Sequence, residues 1–264
     1  MPRDLIEVVA AAHRRGGVMV ALDELIGRLE MEDTPLRAIE EIQDQIRRAG
    51  LELVPGLKEG GLETERFLRP LVTEAESAVL LHRELEAGEG SDLEFKGSLV
   101  YHRDRAASDR TASDTDLRSD AIIETAMKAI CGLLNCEGGV LLIGVANDGS
   151  VVGVEDDYRY VGAKKDDTAS ELRDKWELFL RAIIRDRFYE GARVNDLVSV
   201  TLISQNELTV ARLKIGRRKK LACIKVQGRQ DVYLRRGNRT DRLEVYEIED
   251  LVRERADAEV ARRS

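Results

Sequence analysis

Apolar residues recur along this chain with two periods, and the places where the period changes mark its elements. Ile123, Met127, Ile130 and Leu134 share one helical face, and Gly138-Gly139 supplies the stop just past the last of them. From Val140 to Val145 the apolar residues are unbroken and bounded by turn residues, which predicts a short strand buried on both faces. Asn147-Asp148-Gly149 then suits a tight hairpin, with Val151 to Val154 as the returning strand. Further upstream, Leu93 and Phe95 alternate with Glu94 and Lys96. A strand there would hide the first pair and present the second together.

The pattern before this core is mostly helical. Asp4 to Arg15 reads as a helix closed by Gly16-Gly17, Val18 to Ala21 as an extended piece, and Leu22 to Leu29 as a second helix. Thr34-Pro35 starts a third, with Leu36, Ile39, Ile42, Ile46 and Ala49 on one face and Gly50 at its end. Leu51 to Val54, Pro55-Gly56 and Gly60-Gly61 predict a strand, a turn and a wing. Residues 1–68 thus carry a winged-helix pattern. Thr73 to Glu76 is a capping box opening a helix that runs to Ala87, either a connector across residues 69–88 or a simple packing helix.

Past the core, Asp166 to Arg187 is amphipathic with Leu172, Trp176, Phe179, Leu180 and Ile183 inward. Val198–Ile203, Leu208–Ile215, Leu221–Val226 and Val232–Leu234 read as strands joined by short connections. Val245–Arg255 reads as a closing helix within a domain spanning 89–256, and 257–264 as a tail. Tyr101 to Asp120, dense in Arg, Asp, Ser and Thr, predicts a mobile loop. The fold class is α+β: a mixed, mostly antiparallel sheet with flanking helices, preceded by a small winged-helix-like domain.

Charge sharpens this division. The chain has 42 basic and 50 acidic side chains; residues 1–86 hold 11 and 18 of them, leaving 31 and 32 for the remainder. The acidity is concentrated at the N-terminal end, so any phosphate is expected on the C-terminal part. The third N-terminal helix mixes Glu40, Glu41 and Asp44 with Arg37, Arg47 and Arg48. This points to protein contact or self-association there, with DNA reading as the alternative. No apolar run reaches membrane-spanning length, and the first residues read as an amphipathic helix rather than an export signal, so the expected compartment is the cytoplasm. Three unpaired cysteines argue against a disulfide framework or a thiolate zinc site, and three scattered histidines against a nucleophilic triad. A phosphate-loop motif for ATP hydrolysis is lacking as well.

Two constellations could carry chemistry. Glu89, Glu94 and Asp148 are carboxylates that, if they converge, could hold Mg²⁺ or Mn²⁺, with Lys96 neutralising a phosphate oxygen. Exposed ion pairing is the plainer reading of the same residues. The second is basic: Arg217, Arg218, Lys219 and Lys220 at a hairpin tip, and Arg235, Arg236 and Arg239 around a glycine turn beside Tyr233. Such clusters can straddle a phosphate backbone, with the tyrosine stacking on a base or simply packed in the core.

In their order, these elements resemble the Schlafen AlbA-like family. Its Glu-x-x-x-x-Glu-Phe-Lys element reads Glu89 to Lys96, its Asn-x-x-Gly-Gly turn Asn135 to Gly139, and its Leu-Leu-Ile-Gly-Val strand Leu141 to Val145. Its Asp-Gly hairpin runs from Asp148-Gly149 to Val152-Gly153, and its Tyr-x-Arg-x-Gly element from Tyr233 to Gly237. The resemblance implies a domain that binds RNA or DNA. In the Schlafen-type ribonucleases it further implies a metal-dependent site that cuts transfer and ribosomal RNA, with Glu89, Glu94 and Lys96 at matching positions. The third acidic position falls at Ala146 and Asn147; Asp148, one or two residues later, either substitutes or only makes the turn. Bacterial members often sit near regulatory or phage-defence functions. A DNA-binding regulator acting through residues 1–68 and a non-catalytic assembly subunit are the alternative functions.

Overall fold

The computed structural model describes Val8 and residues 10–12, 18–21, 42, 44–54, 65–70, 74–226 and 228–263. In the N-terminal part, β1 (Val18–Ala21), β2 (Leu51–Val54) and β3 (Glu65–Pro70) form an antiparallel sheet with β3 in the centre. It closes over Ala12, Val20, Ile42, Ile46, Leu51 and Leu68. The predicted second helix, the Thr34-Pro35 start and the Gly60-Gly61 wing lie outside the described residues.

The C-terminal part is built on a four-stranded sheet. Its strands are β4 (Leu93–Lys96), β5 (Gly138–Ile143), β6 (Val198–Gln205) and β7 (Leu208–Gly216), in the order β4-β5-β7-β6. β4 and β5 run parallel and the remaining pairs antiparallel, the mixed and mostly antiparallel sheet the sequence predicts. Alternation along β5 sends Leu142 to one face and Leu141 and Ile143 to the other, and both faces are covered. On the first lies α1 (Glu74–Ala87), whose Leu81 is buried among Leu93, Phe95, Leu142, Ile203 and Val210. Glu84 of this helix takes a two-pronged ion pair from Arg212 of β7 at 2.6–3.0 Å. The helix is therefore a packing layer of the sheet.

The second face is covered by a long helix preceding β5, whose Ile123, Met127, Ile130 and Leu134 point inward as their spacing predicts, and by a helix after the hairpin carrying Trp176, Leu180 and Ile184. The crossover from β4 to β5 departs from expectation. Instead of a mobile loop it forms α2 (Arg103–Ser108) and α3 (Asp114–Leu117), leading into the long helix α4 (Asp120–Leu134). Ser113 and Asp116 make a reciprocal capping box, and His102 N–H donates to the Leu117 carbonyl at 2.8 Å. The alternating charges find specific partners: Arg105 with Asp116, and Asp114 with Arg159 at 3.1 Å. The partner at 159 is far along the chain, so local composition could not reveal it.

The returning strand expected at Val151–Val154 is also absent. Only Val145 and Val151 bridge; Val152 and Gly153 N–H both turn to the Gly144 carbonyl, and the chain enters a 3₁₀ turn at Glu155–Tyr160. After it come α5 (Ala169–Arg187), α6 (Gly191–Asn195), and two hairpins, β8–β9 (Ile224–Val226, Arg229–Asp231) and β10–β11 (Tyr233–Arg236, Arg239–Arg242). The closing helix α7 (Val245–Arg263) runs further than its apolar spacing indicated. Buried Asn135, at the end of α4, binds Ala222 N–H through Oδ1 at 2.8 Å. It donates to the Ala222 and Tyr233 carbonyls at 2.9 Å, tying both hairpins to the helix.

Gly138 and Gly139 do more than stop a helix. A Cβ at Gly139 would collide with the Asp92 carbonyl, the group that accepts Val140 N–H at 2.7 Å; one at Gly138 would strike the Ile215 carbonyl. Because the obstacle is backbone on both sides, the sheet itself would have to part. Gly139→Ala is expected to cost about 3 kcal/mol or more, read as a fall in the urea midpoint; a midpoint matching the wild type would contradict this packing.

Candidate nucleic-acid interface

Parallel pairing places the carboxyl ends of β4 and β5 together, the end at which open sheets with parallel strands commonly hold ligands. Lys96 stands opposite Ile143, and its carbonyl accepts Gly144 and Val145 N–H at 2.8 and 3.1 Å. A cleft of about 450 Å³ opens there. Lys96 forms part of its lining, with Tyr101, His102 and Arg103 on one wall, Ile122 and Thr125 of α4 on a second, and Asn147 and Asp148 on a third. The end of β4 and the turn after β5 are thus neighbours.

The carboxylates do not meet there. Glu94 is 8% exposed, held in an ion pair by Arg235 and bonded by Lys96 Nζ, so the strand presents lysine but buries the glutamate. Glu89 spends its carboxylate on Phe95 N–H at 2.8 Å. Asp148 is exposed and makes the turn, accepting the Ser150 hydroxyl at 2.6 Å and Ser150 N–H at 2.9 Å, bonds that lower its carboxyl from the ordinary aspartate value. Among the described residues no three carboxylate, imidazole or thiol groups are placed to hold a metal ion. Mg²⁺ or Mn²⁺ at Glu89, Glu94 and Asp148 does not fit this donor set. One of these carboxylates is already neutralised by two cations, one bonds an N–H on the free edge of β4, and one closes a turn.

The basic cluster is likewise divided. Gly138 pairs with Gly216, so the 217–220 turn sits at the opposite end of β5 from the cleft, roughly 17 Å away at strand rise. Within it Arg218 is buried against Glu190, and Arg217 pairs with Glu137, while Lys219 and Lys220 remain exposed. Arg235 is no surface group: its side chain is 1% exposed, and it donates to the Gly90 carbonyl at 2.8–3.0 Å and the Leu93 carbonyl at 3.1 Å. Tyr233 is core, with Lys128 Nζ 5.5 Å from its ring centre. Arg236 and Arg239 are exposed and pair with Glu247 and Asp241, contacts of little energetic weight in water.

Several residues here were not singled out from the sequence. Asp157, 1% exposed, accepts Leu99, Val100 and Tyr101 N–H at 3.0–3.1 Å, Trp176 Nε1–H at 3.1 Å, and the Ser98 hydroxyl. It thereby fixes the stretch that leads from β4 into the cleft wall. Tyr101, so positioned, stacks on Tyr160 with ring centres 6.4 Å apart, and the Arg103 and Arg159 guanidinium groups lie 5.8 and 5.2 Å from its ring. Arg103 is itself anchored to Asp156 at 2.9 Å and to the Gly97 carbonyl at 3.0 Å. A tyrosine followed two residues later by arginine was the local signal; the distant partners come from residues 152–160 and from Trp176.

The sequence model of the Schlafen, AlbA_2 family matches residues 89–244. No curated protein matches the chain. Among solved structures it is similar to the DIP2311 protein from Corynebacterium diphtheriae, at 13% identity and a TM-score of 0.39, covering 65% of this chain and 30% of that one. The family match takes in the parallel strand pair, the cleft between its carboxyl ends and the hairpin that delivers Arg235, over more than half of the sequence: the chain belongs to the Schlafen, AlbA_2 family.

Proposed function

We propose that this protein binds nucleic acid at the cleft beyond β4 and β5, with Lys96 as the phosphate contact, and that it binds without metal-dependent cutting. Membership of the Schlafen, AlbA_2 family supports nucleic-acid binding. The observation that carries the rest is the state of Glu94: two cations already neutralise it, while Lys96 beside it keeps 22% of its side chain exposed toward the cleft. Lys96 Nζ donates to Glu94 and, at 2.9 Å, to the Phe95 carbonyl, which leaves one of its three protons for an incoming oxygen. Lys219 and Lys220 would add a sequence-independent attraction at the other end of the sheet.

Incubating the whole protein with total RNA, with and without Mg²⁺ or Mn²⁺, tests the second half of the proposal: intact RNA in both arms is expected, and a metal-dependent product would overturn it. Lys96→Ala tests the first half. It should weaken binding about equally for all sequences and reduce the slope of log affinity against log salt by roughly one, measured by fluorescence anisotropy across a salt series. An unchanged slope would move the phosphate contact away from this lysine.

A further inference from the structure

We infer that the cleft receives one unpaired nucleotide, its phosphate beside Lys96 and its base edge beside Asn147, so that the protein prefers single strands over duplex. This deepens the nucleic-acid reading of the cleft and rests on it. A volume of about 450 Å³ is that of a small-ligand pocket; it can take a nucleotide turned out of a strand, whereas a double helix could only touch its mouth.

The lining divides by chemistry. At the end of β4 stands the ammonium group, and on the hairpin stands the exposed Asn147, whose carboxamide offers a donor and an acceptor side by side, the combination that reads a base edge. Tyr101 also lines the cleft and is held rigid from two directions. Its backbone N–H is fixed by Asp157, and its ring is braced by Tyr160 and flanked by the Arg103 and Arg159 guanidinium planes. With the ring faces so covered, the plane left to the cleft is the Arg103 guanidinium, fixed by Asp156 and the Gly97 carbonyl, and a fixed guanidinium plane is a surface on which an unstacked base comes to rest. The rim argues against duplex for a separate reason. Asp104 and Asp148 are both exposed there, on different walls. One backbone can pass Lys96, but a second, carrying its own phosphates, would run against those carboxylates.

The test compares a labelled mixed-sequence strand of about ten nucleotides, a length one small domain can hold, with the same strand annealed to its complement. Both are titrated with wild type and with Asn147→Ala. Asn147 is exposed and lies outside the left-handed region, so the variant should melt like the wild type. The single strand is expected to bind about 10-fold more tightly than the duplex, and Asn147→Ala to lose about 10-fold on the single strand alone. Equal or tighter duplex binding overturns the inference, as does a variant that binds the single strand as well as wild type, while either result leaves nucleic-acid binding standing. Failure of both forms to bind removes the nucleic-acid reading itself.

Discussion

Asp157→Ala is expected to destabilise the protein by about 3–5 kcal/mol, since each buried donor left without an acceptor costs about 1–3 kcal/mol and part of the loss is recovered by relaxation. For a domain of this size that is a fall in melting temperature of about 10 °C. Both carboxylate oxygens are in use: Oδ1 serves the Val100 and Tyr101 N–H groups and the Ser98 hydroxyl, and Oδ2 serves Leu99 N–H and the Trp176 indole. Asparagine is therefore no adequate substitute, because its amide nitrogen would face donors. The effect should also reach the cleft, since Tyr101 is positioned through this carboxylate. A thermal melt within a degree or two of the wild type would show that the 98–101 stretch holds its shape by other means.

Glu94→Ala should be damaging for a reason unrelated to catalysis. It leaves the Arg235 guanidinium, 1% exposed, with backbone carbonyls and Thr240 but no carboxylate. Breaking a buried pair from one side typically costs about 3–5 kcal/mol. Arg235→Ala should cost a similar amount, and the double variant distinctly less than the sum, because neither charge is then stranded. Urea denaturation of the four proteins measures the coupling; strict additivity would mean that the pair contributes nothing. Any activity lost in Glu94→Ala alone would report on folding, so a ribonuclease assay with that variant needs a stability measurement beside it.

How far the sequence could be read follows from how local each cause is. The helix ending at Leu134 and the buried strand are written in spacing and appear within a residue or two of where it puts them, but Gly138 and Gly139, read as the turn between them, are the first two residues of β5, and residues 135–137 make the turn. The residues of β4 also alternate as read, yet the fate of Glu94 depended on Arg235, which reaches it from a hairpin about 140 positions later. The same distance effect accounts for the misread crossover: residues 101–120 look like a solvated loop until Asp156, Asp157 and Arg159 supply partners. Four consecutive basic residues at 217–220 looked like one hairpin tip, but β7 and β8 do not pair, Arg218 turns inward to Glu190, and Lys219 and Lys220 are the two left exposed. Asp157 itself gave no sign, being one acid in an acidic stretch.

The helix that lies against the first face of the sheet has a practical consequence. The family's matched stretch begins at Glu89, two residues after that helix ends. A protein trimmed to the match would shed Leu81 and Glu84 and open Phe95, Leu142 and Val210 to water on one broad side. Such a fragment invites self-association, so the smallest piece worth expressing starts ahead of Glu74, and homology boundaries drawn on sequence alone would cut through the cooperative unit.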